Sequence, residues 1–482
     1  MALRTAAQYR ESLRDGRVVF YRGQQVPDVT QHPVIRVAIQ HASIDYEMAE
    51  RPETRDLAVV KSPETGEPIS RYFHVPRTAE DLLKRSALIE AATREGGTLV
   101  VLIKEIGTDA LFALQVVADQ MDRALGTHYG ERAARFYRHC RDQDLAMAVA
   151  QTDVKGDRSL GPAAQAHPDY YLRIVEERPD GIVVRGAKAH TSVSPNANEI
   201  IVLPTRALTE QDAPYAVAFA VPANAKGLKL LASPYGAPRP RPFESPITAA
   251  HKMMETLTVF EDVLVPHERV FLKGEWKYAG PLALTFVEFH RFTAVSYKLP
   301  LVDLLVGAAR LIAEYNGLDK VGHIRDKLIH LIAYAETLRA LIRQAALECR
   351  VVPPGLAVPS PLLVNLAKHH FASGYAQAVA WVQEIAGGLL VTGPGQEDWE
   401  SPETRPYLER YLGGARGVPA EHRLRLMNLI QDLTASDFGG YQAVLAIHAE
   451  GSIEAEKLAA FRAYDPKPAV AYAKRLASIP GA

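Results

Sequence analysis

The hydrophobic period of this chain changes twice, and that sets the order of its parts. From about residue 78 to 148, apolar residues recur every three or four positions. TAEDLLKRSALIEAATRE opens on a threonine cap with acids in its first turn, and LFALQVVADQMDRAL and ERAARFYRHCRDQDLAMAVA continue the helical spacing. From about 149 to 275 the runs become short and strand-like. YLRIVEE and IVVRGAKAH flank the hairpin turn RPDG. EIIVLPTRA, YAVAFAVPA, LKLLAS and TLTVFEDVLVP read as further strands, and ASPYGAPRPRPFESP as a proline-rich loop. From about 280 the helical period returns, beginning with FVEFHRFTAVSYKLPLVDLLVGAARLIAEYNG, which stops at Asn-Gly. This order predicts a helix bundle carrying a small β-domain.

Several classes are set aside at once. At 482 residues the chain is too long for one simple core. A net charge of −1 with no basic block gives no electrostatic footprint for nucleic acid. The two cysteines, Cys140 and Cys349, cannot build a disulfide scaffold, a cysteine-rich zinc site or an all-cysteine iron–sulfur cluster. Cys140, on an amphipathic helix, reads as a small buried hydrophobe. The start MALRTAAQYRESLRDGR lacks the apolar core of a signal peptide. The apolar run LPLVDLLVGAARLIAEY carries Asp303, Arg310 and Glu314, so it reads as a bundle helix, with no membrane partner expected and a cytoplasmic location.

The chemistry-bearing residues are sparse. In EFHRFTAVSYK, His290, Ala294, Tyr297 and Lys298 share one helical face, so an imidazole, a phenol and an ammonium line a stripe of an apolar helix. TDVKGDR places a hydroxyl, two acids and two cations around a glycine; taken alone it reads as a solvated turn. EIAGG offers Gly387 and Gly388 either as a helix end or as backbone that a phosphate could approach. No GxGxxG follows a strand. His369 and His370 read as a surface pair or packing contacts, and His190 as structural.

The ordered set VTQHPVIRVAIQ, AQTDVKGDRSL, LRIVEERPDGIVVRGAKAHTS, EIAGGLLVTGP and HAEGS resembles the 4-hydroxyphenylacetate 3-hydroxylase family, most of all its 4-hydroxybutyryl-CoA dehydratase branch, from about residue 4 to 475. The resemblance implies an α+β, acyl-CoA dehydrogenase-like fold: an N-terminal helical domain (1–148), a middle β-barrel-like domain (149–277) and a C-terminal four-helix bundle (278–482). It further implies FAD, a homotetramer and a separate flavin reductase as partner. By resemblance Gln151, Thr152, Lys155, Arg158, Thr191, Ser192, Glu384, Gly387 and Gly388 bind the cofactor. His290, Tyr297, Lys298, Glu255 and Glu450 are the catalytic candidates, with Glu255 or Glu450 expected to pair with His290.

Two departures matter. The dehydratase branch holds a [4Fe–4S] cluster on three cysteines and one histidine; His290 matches the histidine, but Val101, Glu105 and Tyr297 stand at the cysteine positions, so no iron–sulfur cluster is expected. The hydroxylase branch contacts its phenol through an Arg, a Tyr and a His; here Ile106, Ala110 and Val149 stand there, so 4-hydroxyphenylacetate itself is not the expected substrate. Two activities follow from the resemblance. The first is an FADH2-dependent monooxygenase acting on a small organic or thioester-bound substrate. The second is a cluster-free lyase or isomerase acting on an acyl-CoA or carrier-bound thioester.

Overall fold

The computed structural model describes residues 3–236 and 240–480; positions 237–239 of the proline-rich loop lie outside the described residues. The first strands come early: β1 (Val19–Tyr21) and β2 (Gln24–Val26). After three short helices (Ile35–Ala42, Ile44–Glu50 and Pro52–Ala58) come the longer α1 (Ala79–Glu95), α2 (Glu105–Leu125) and α3 (Tyr129–Asp142). Thr78 caps α1, accepting from the Asp81 amide, while the Asp81 carboxylate takes the Thr78 amide in return.

The β region contains β3 (Met147–Ala150), β4 (Arg173–Arg178), β5 (Gly181–Ser192), β6 (Glu199–Val202), β7 (Val217–Pro222), β8 (Leu228–Ala232), β9 (Glu255–Pro266) and β10 (Val270–Lys273). These form two open sheets, one of six strands in the order β2-β1-β8-β9-β5-β4 and one of four in the order β10-β7-β6-β3, and no closed barrel. β3 and β6 pair in parallel and are buried along their whole length, as a strand covered on both faces must be. β9 buries Thr256, Thr258 and Phe260, then skips to Val263 and Val265. The pairing with β5 shifts at the same place, and Asp262 takes a positive φ of 53°, so a bulge turns the strand over. The six-stranded sheet also recruits β1, in parallel register with β8 (Val19 opposite Leu230).

The C-terminal part is built on α4 (Trp276–Tyr315), a single helix of 40 residues that is roughly 60 Å long. It packs against α1, α2, α5 (Gly322–Leu347) and α6 (Pro361–Ala386). By length and composition α4 could cross a membrane, yet 72% of its most apolar window is buried inside the protein. Towards the end of the chain come α7 (Ala420–Thr434), α8 (Asp437–His448) and α9 (Ile453–Ala463), followed by an exposed helix, Lys467–Leu476. The turn between α8 and α9 carries Glu450 and Gly451, both with positive φ.

Candidate functional site

Three buried clusters meet along α4. The first centres on His290, which is 7% exposed and whose ring stacks on Phe286 one turn earlier, with centroids 5.2 Å apart. Its Nδ1 lies 3.0 Å from Asp109 Oδ2, on α2. Asp109 Oδ1 accepts from Arg85 on α1 (2.8 Å) and from Thr293 (3.0 Å). Asp109 is fully buried, so its charge needs both partners. A carboxylate only accepts, so Nδ1–H donates to Asp109 and the imidazole tautomer is fixed. Nε2 makes no hydrogen bond among the described residues. The expected partners of His290 were Glu255 or Glu450; the imidazole pairs with Asp109 instead, because α2 packs directly on α4 and brings that acid against it.

The second cluster surrounds Glu450. Tyr297 Oη donates to one carboxylate oxygen. Lys298 Nζ sits 2.9 Å from the other, and Lys368 of α6 is 3.7 Å away. Lys368 also reaches Glu456 at 3.3 Å and the Ala446 carbonyl at 2.9 Å. Arg291 ties down the Glu450 carbonyl at 2.8 Å. Burial alone would raise the Glu450 carboxyl, but the charges of Lys298 and Lys368 hold it down at about 2. Burial lowers Lys298 to about 8, with Glu450 opposing, and raises the Tyr297 phenol far up. Near neutral pH this is an ion pair with a neutral phenol attached.

The third cluster is Glu255, at the start of β9. Ser192 Oγ lies 2.9 Å from both carboxylate oxygens, and Tyr441 Oη donates to Oε1 at 2.7 Å. No cation pairs with it among the described residues. Burial therefore dominates and raises the carboxyl to about 7, against the two hydroxyl donors. Two carboxylates in one site thus differ in protonation because one faces lysines and the other faces hydroxyls.

The remaining expected residues belong to other parts of the fold. Gln151 and Thr152 follow β3: the Gln151 carbonyl accepts from Lys188 (2.9 Å), and the Thr152 carbonyl accepts from the Ala189 amide (2.8 Å). Lys155 takes a positive φ of 79°; burial lowers its ammonium, with the Arg158 charge adding to the effect. The same two cations act on His190, as does His448 at the end of α8. Neither Lys155 nor Arg158 makes an ion pair among the described residues, although the Asp153 charge opposes the lowering of Lys155. Thr191 is buried, and its Oγ1 has no hydrogen-bond partner. Gly387, with φ +82°, ends α6, and neither it nor Gly388 has any atom within 4 Å of where a Cβ would stand. Glu384 lies on the surface, paired with Lys327 at 3.0 Å and joined to none of the three clusters by hydrogen bond or ion pair.

Val101 and Glu105 are fully buried, and Tyr297 is engaged with Glu450, so the cysteine positions of the dehydratase branch offer no thiolate. Cys140 is sealed in the core, where burial pushes its thiol up. Among the described residues no group of three or more His, Cys, Asp or Glu side chains is arranged to hold a metal ion. His370 Nε2 is 3.0 Å from the Tyr334 carbonyl, a packing contact. Asp109, Arg85, Lys368 and Tyr441 are the site residues that sequence reasoning missed. Asp109 and Lys368 had a signal, a charge inside an apolar helical run (GTDALFAL, VNLAKHHF); Tyr441 had none.

The model of the 4-hydroxyphenylacetate 3-hydroxylase N-terminal domain matches residues 5–272, and that of the C-terminal domain matches 279–478. The 4-hydroxybutyryl-CoA dehydratase/vinylacetyl-CoA-Δ-isomerase of Clostridium aminobutyricum is 33% identical, over 99% of this chain and 100% of its own. The 4-hydroxyphenylacetate 3-monooxygenase oxygenase component of Thermus thermophilus is 30% identical, over 91% and 90%. Among solved structures, an oxygen-tolerant 4-hydroxybutyryl-CoA dehydratase from N. maritimus superposes with a TM-score of 0.93 at 32% identity, covering 100% of this chain and 96% of its own. A 4-hydroxyphenylacetate 3-monooxygenase oxygenase component, complexed with FAD and 4-hydroxyphenylacetate, gives 0.89 at 28% identity, covering 98% of each chain. Butyryl-CoA dehydrogenase from Megasphaera elsdenii, at 14% identity and 0.50 over 96% and 99%, shares the fold alone.

Proposed function

This chain belongs to the 4-hydroxyphenylacetate 3-hydroxylase family, and from that premise we propose that it is the FADH2-dependent oxygenase component of a two-component monooxygenase. Its substrate is a small organic or thioester-bound molecule other than 4-hydroxyphenylacetate, and a separate reductase supplies the reduced flavin. The observation that carries the reading is the buried Asp109–His290 pair; by resemblance the dehydratase branch has thiolates where this chain has Val101, Glu105 and Tyr297. A [4Fe–4S] cluster does not fit that residue set.

FAD does fit. Thr191 Oγ1 is a buried hydroxyl in want of a partner, Gly387 and Gly388 leave backbone open to close approach, and Lys155 and Arg158 are neighbouring cations that could meet a phosphate. Bound reduced flavin supplies the electrons that activate O2. The protein's own part is proton handling and exclusion of water. His290, held by Asp109, presents Nε2 to the substrate as proton acceptor or donor. Glu255, poised at about 7, gives or takes a proton near neutral pH. Glu450 stays ionised and orients the Tyr297 phenol and the Lys298 ammonium. Val101, Ile106, Ala110 and Val149 are buried and apolar, and supply a dry wall.

A second reading, a cluster-free lyase or isomerase on an acyl thioester, is favoured by the retention of Glu255, Lys298, Glu450 and His290 in one site. One experiment separates the two. The protein is supplied with FADH2 from a general flavin reductase, and phenols and acyl thioesters are screened in an oxygen electrode with mass-spectrometric product analysis. Oxygen uptake matched by a product 16 Da heavier supports the monooxygenase. Product formed with no oxygen uptake and no gain in mass sinks it in favour of the lyase.

A further inference from the structure

Helix α8 brings a phenol from late in the chain to one carboxylate. Tyr441, on α8, donates its phenol to Glu255 Oε1 at 2.7 Å, although 186 residues separate them. Its ring lies flat on Tyr235, with centroids 4.5 Å apart and planes 13° from parallel. Tyr235 is itself tied down: its Oη donates to the Met253 carbonyl, and Lys252 Nζ bonds the Tyr235 carbonyl at 2.7 Å and stands 3.9 Å from its ring centre. Residues 252–255 therefore hold both the stacking partner and the carboxylate, and the stack leaves the Tyr441 phenol little freedom to turn away.

The two oxygens of Glu255 are not equivalent. Oε1 receives Tyr441 and shares Ser192; Oε2 has only its share of Ser192. The titratable groups facing this carboxyl are the phenols of Tyr441, Tyr235 and Tyr297, and none is charged near neutral pH. A neutral phenol that donates to a carboxylate favours its ionised form. We propose that Tyr441 is the positioning residue of Glu255: it clamps Oε1, stabilises the carboxylate, and leaves Oε2 as the oxygen that exchanges a proton with substrate. The proton-exchange part rests on the monooxygenase reading; the clamp does not.

The test is infrared difference titration of the full-length protein reconstituted with FAD. The protonated carboxyl C=O band that disappears in Glu255→Gln reports Glu255 directly. In Tyr441→Phe the midpoint of that band should rise by about one pH unit, with circular dichroism and FAD content unchanged. Tyr441→Gln, which restores a donor, should bring the midpoint back toward the wild-type value. The rise in Tyr441→Phe should carry over to the pH profile of turnover. Should the Phe variant not fold, Tyr441→Met lacks the donor equally and gives the same readout. An unmoved midpoint in a folded variant overturns the inference. A moved midpoint with turnover indifferent to Glu255→Gln upholds the clamp and overturns the proton-exchange role.

Discussion

At the scale of single residues, the site is a set of buried charges, each defined by its partner. Asp109 both neutralises Arg85 and orients His290. Asp109→Asn should therefore do two things: cut turnover by roughly 10²-fold or more, through loss of the imidazole's orientation, and destabilise the protein by about 3 kcal/mol, because Arg85 keeps its charge in a buried site. Steady-state rates and urea unfolding read the two separately. His290→Ala should lose turnover to a similar degree while binding FAD as the parent does; normal turnover would remove His290 from the mechanism. Glu255 gives a pH signature. Its carboxyl is raised from 4.5 to about 7 in the folded protein, so the fold binds that proton more tightly than the unfolded chain. The stabilisation is full below pH 4.5 and is lost as pH rises through about 7. Melting temperatures of wild type and Glu255→Gln across pH 4.5–8 should diverge over that window, with the variant lacking this fall.

At the scale of elements, two structures place the groups. The first is α4, whose period puts His290 and Lys298 on buried positions two turns apart. The second is the turn joining α8 to α9. Gly451 takes φ +119°, and a Cβ there would stand 2.4 Å from a terminal nitrogen of Arg291. Arg291 in turn anchors the Glu450 carbonyl. Gly451→Ala should thus be strained twice, in the backbone and against the guanidinium, and should lower stability by about 1–3 kcal/mol. It should also shift Glu450 off Tyr297 and Lys298, so turnover should fall further than the stability loss explains. A variant that melts earlier but turns over normally would show that Glu450 does not need its place.

At the scale of the whole molecule, the site is a junction. Arg85 and Asp109 come from the N-terminal helices, Glu255 and Ser192 from the six-stranded sheet, His290 and Lys298 from α4, and Tyr441 and Glu450 from the end of the chain. A site assembled from so many parts is not converted by its first contacts alone. Placing cysteine at 101, 105 and 297 together should yield neither stoichiometric iron and sulfide nor dehydratase turnover, since three thiolates alone do not supply the hydrogen bonds that orient a cluster's ligands. Iron and acid-labile sulfide analysis after anaerobic reconstitution checks this, and a loaded, active triple variant would overturn it.

What the sequence determined by itself was local or compositional. The change of period from helix to strand and back set the module order, the spacing of His290, Tyr297 and Lys298 put them on one helix, and two distant cysteines left a three-thiolate cluster without ligands. The tertiary structure alone decided who partners whom. His290 meets Asp109 across 181 residues and Glu255 meets Tyr441 across 186, separations at which no periodicity carries information. It also decided that Val19–Tyr21, a strand of three residues too short to show alternation, joins the middle sheet in parallel with β8. The physical reason is common to all three: a hydrophobic pattern says which face of an element is buried, and only closing the chain says what that face is buried against.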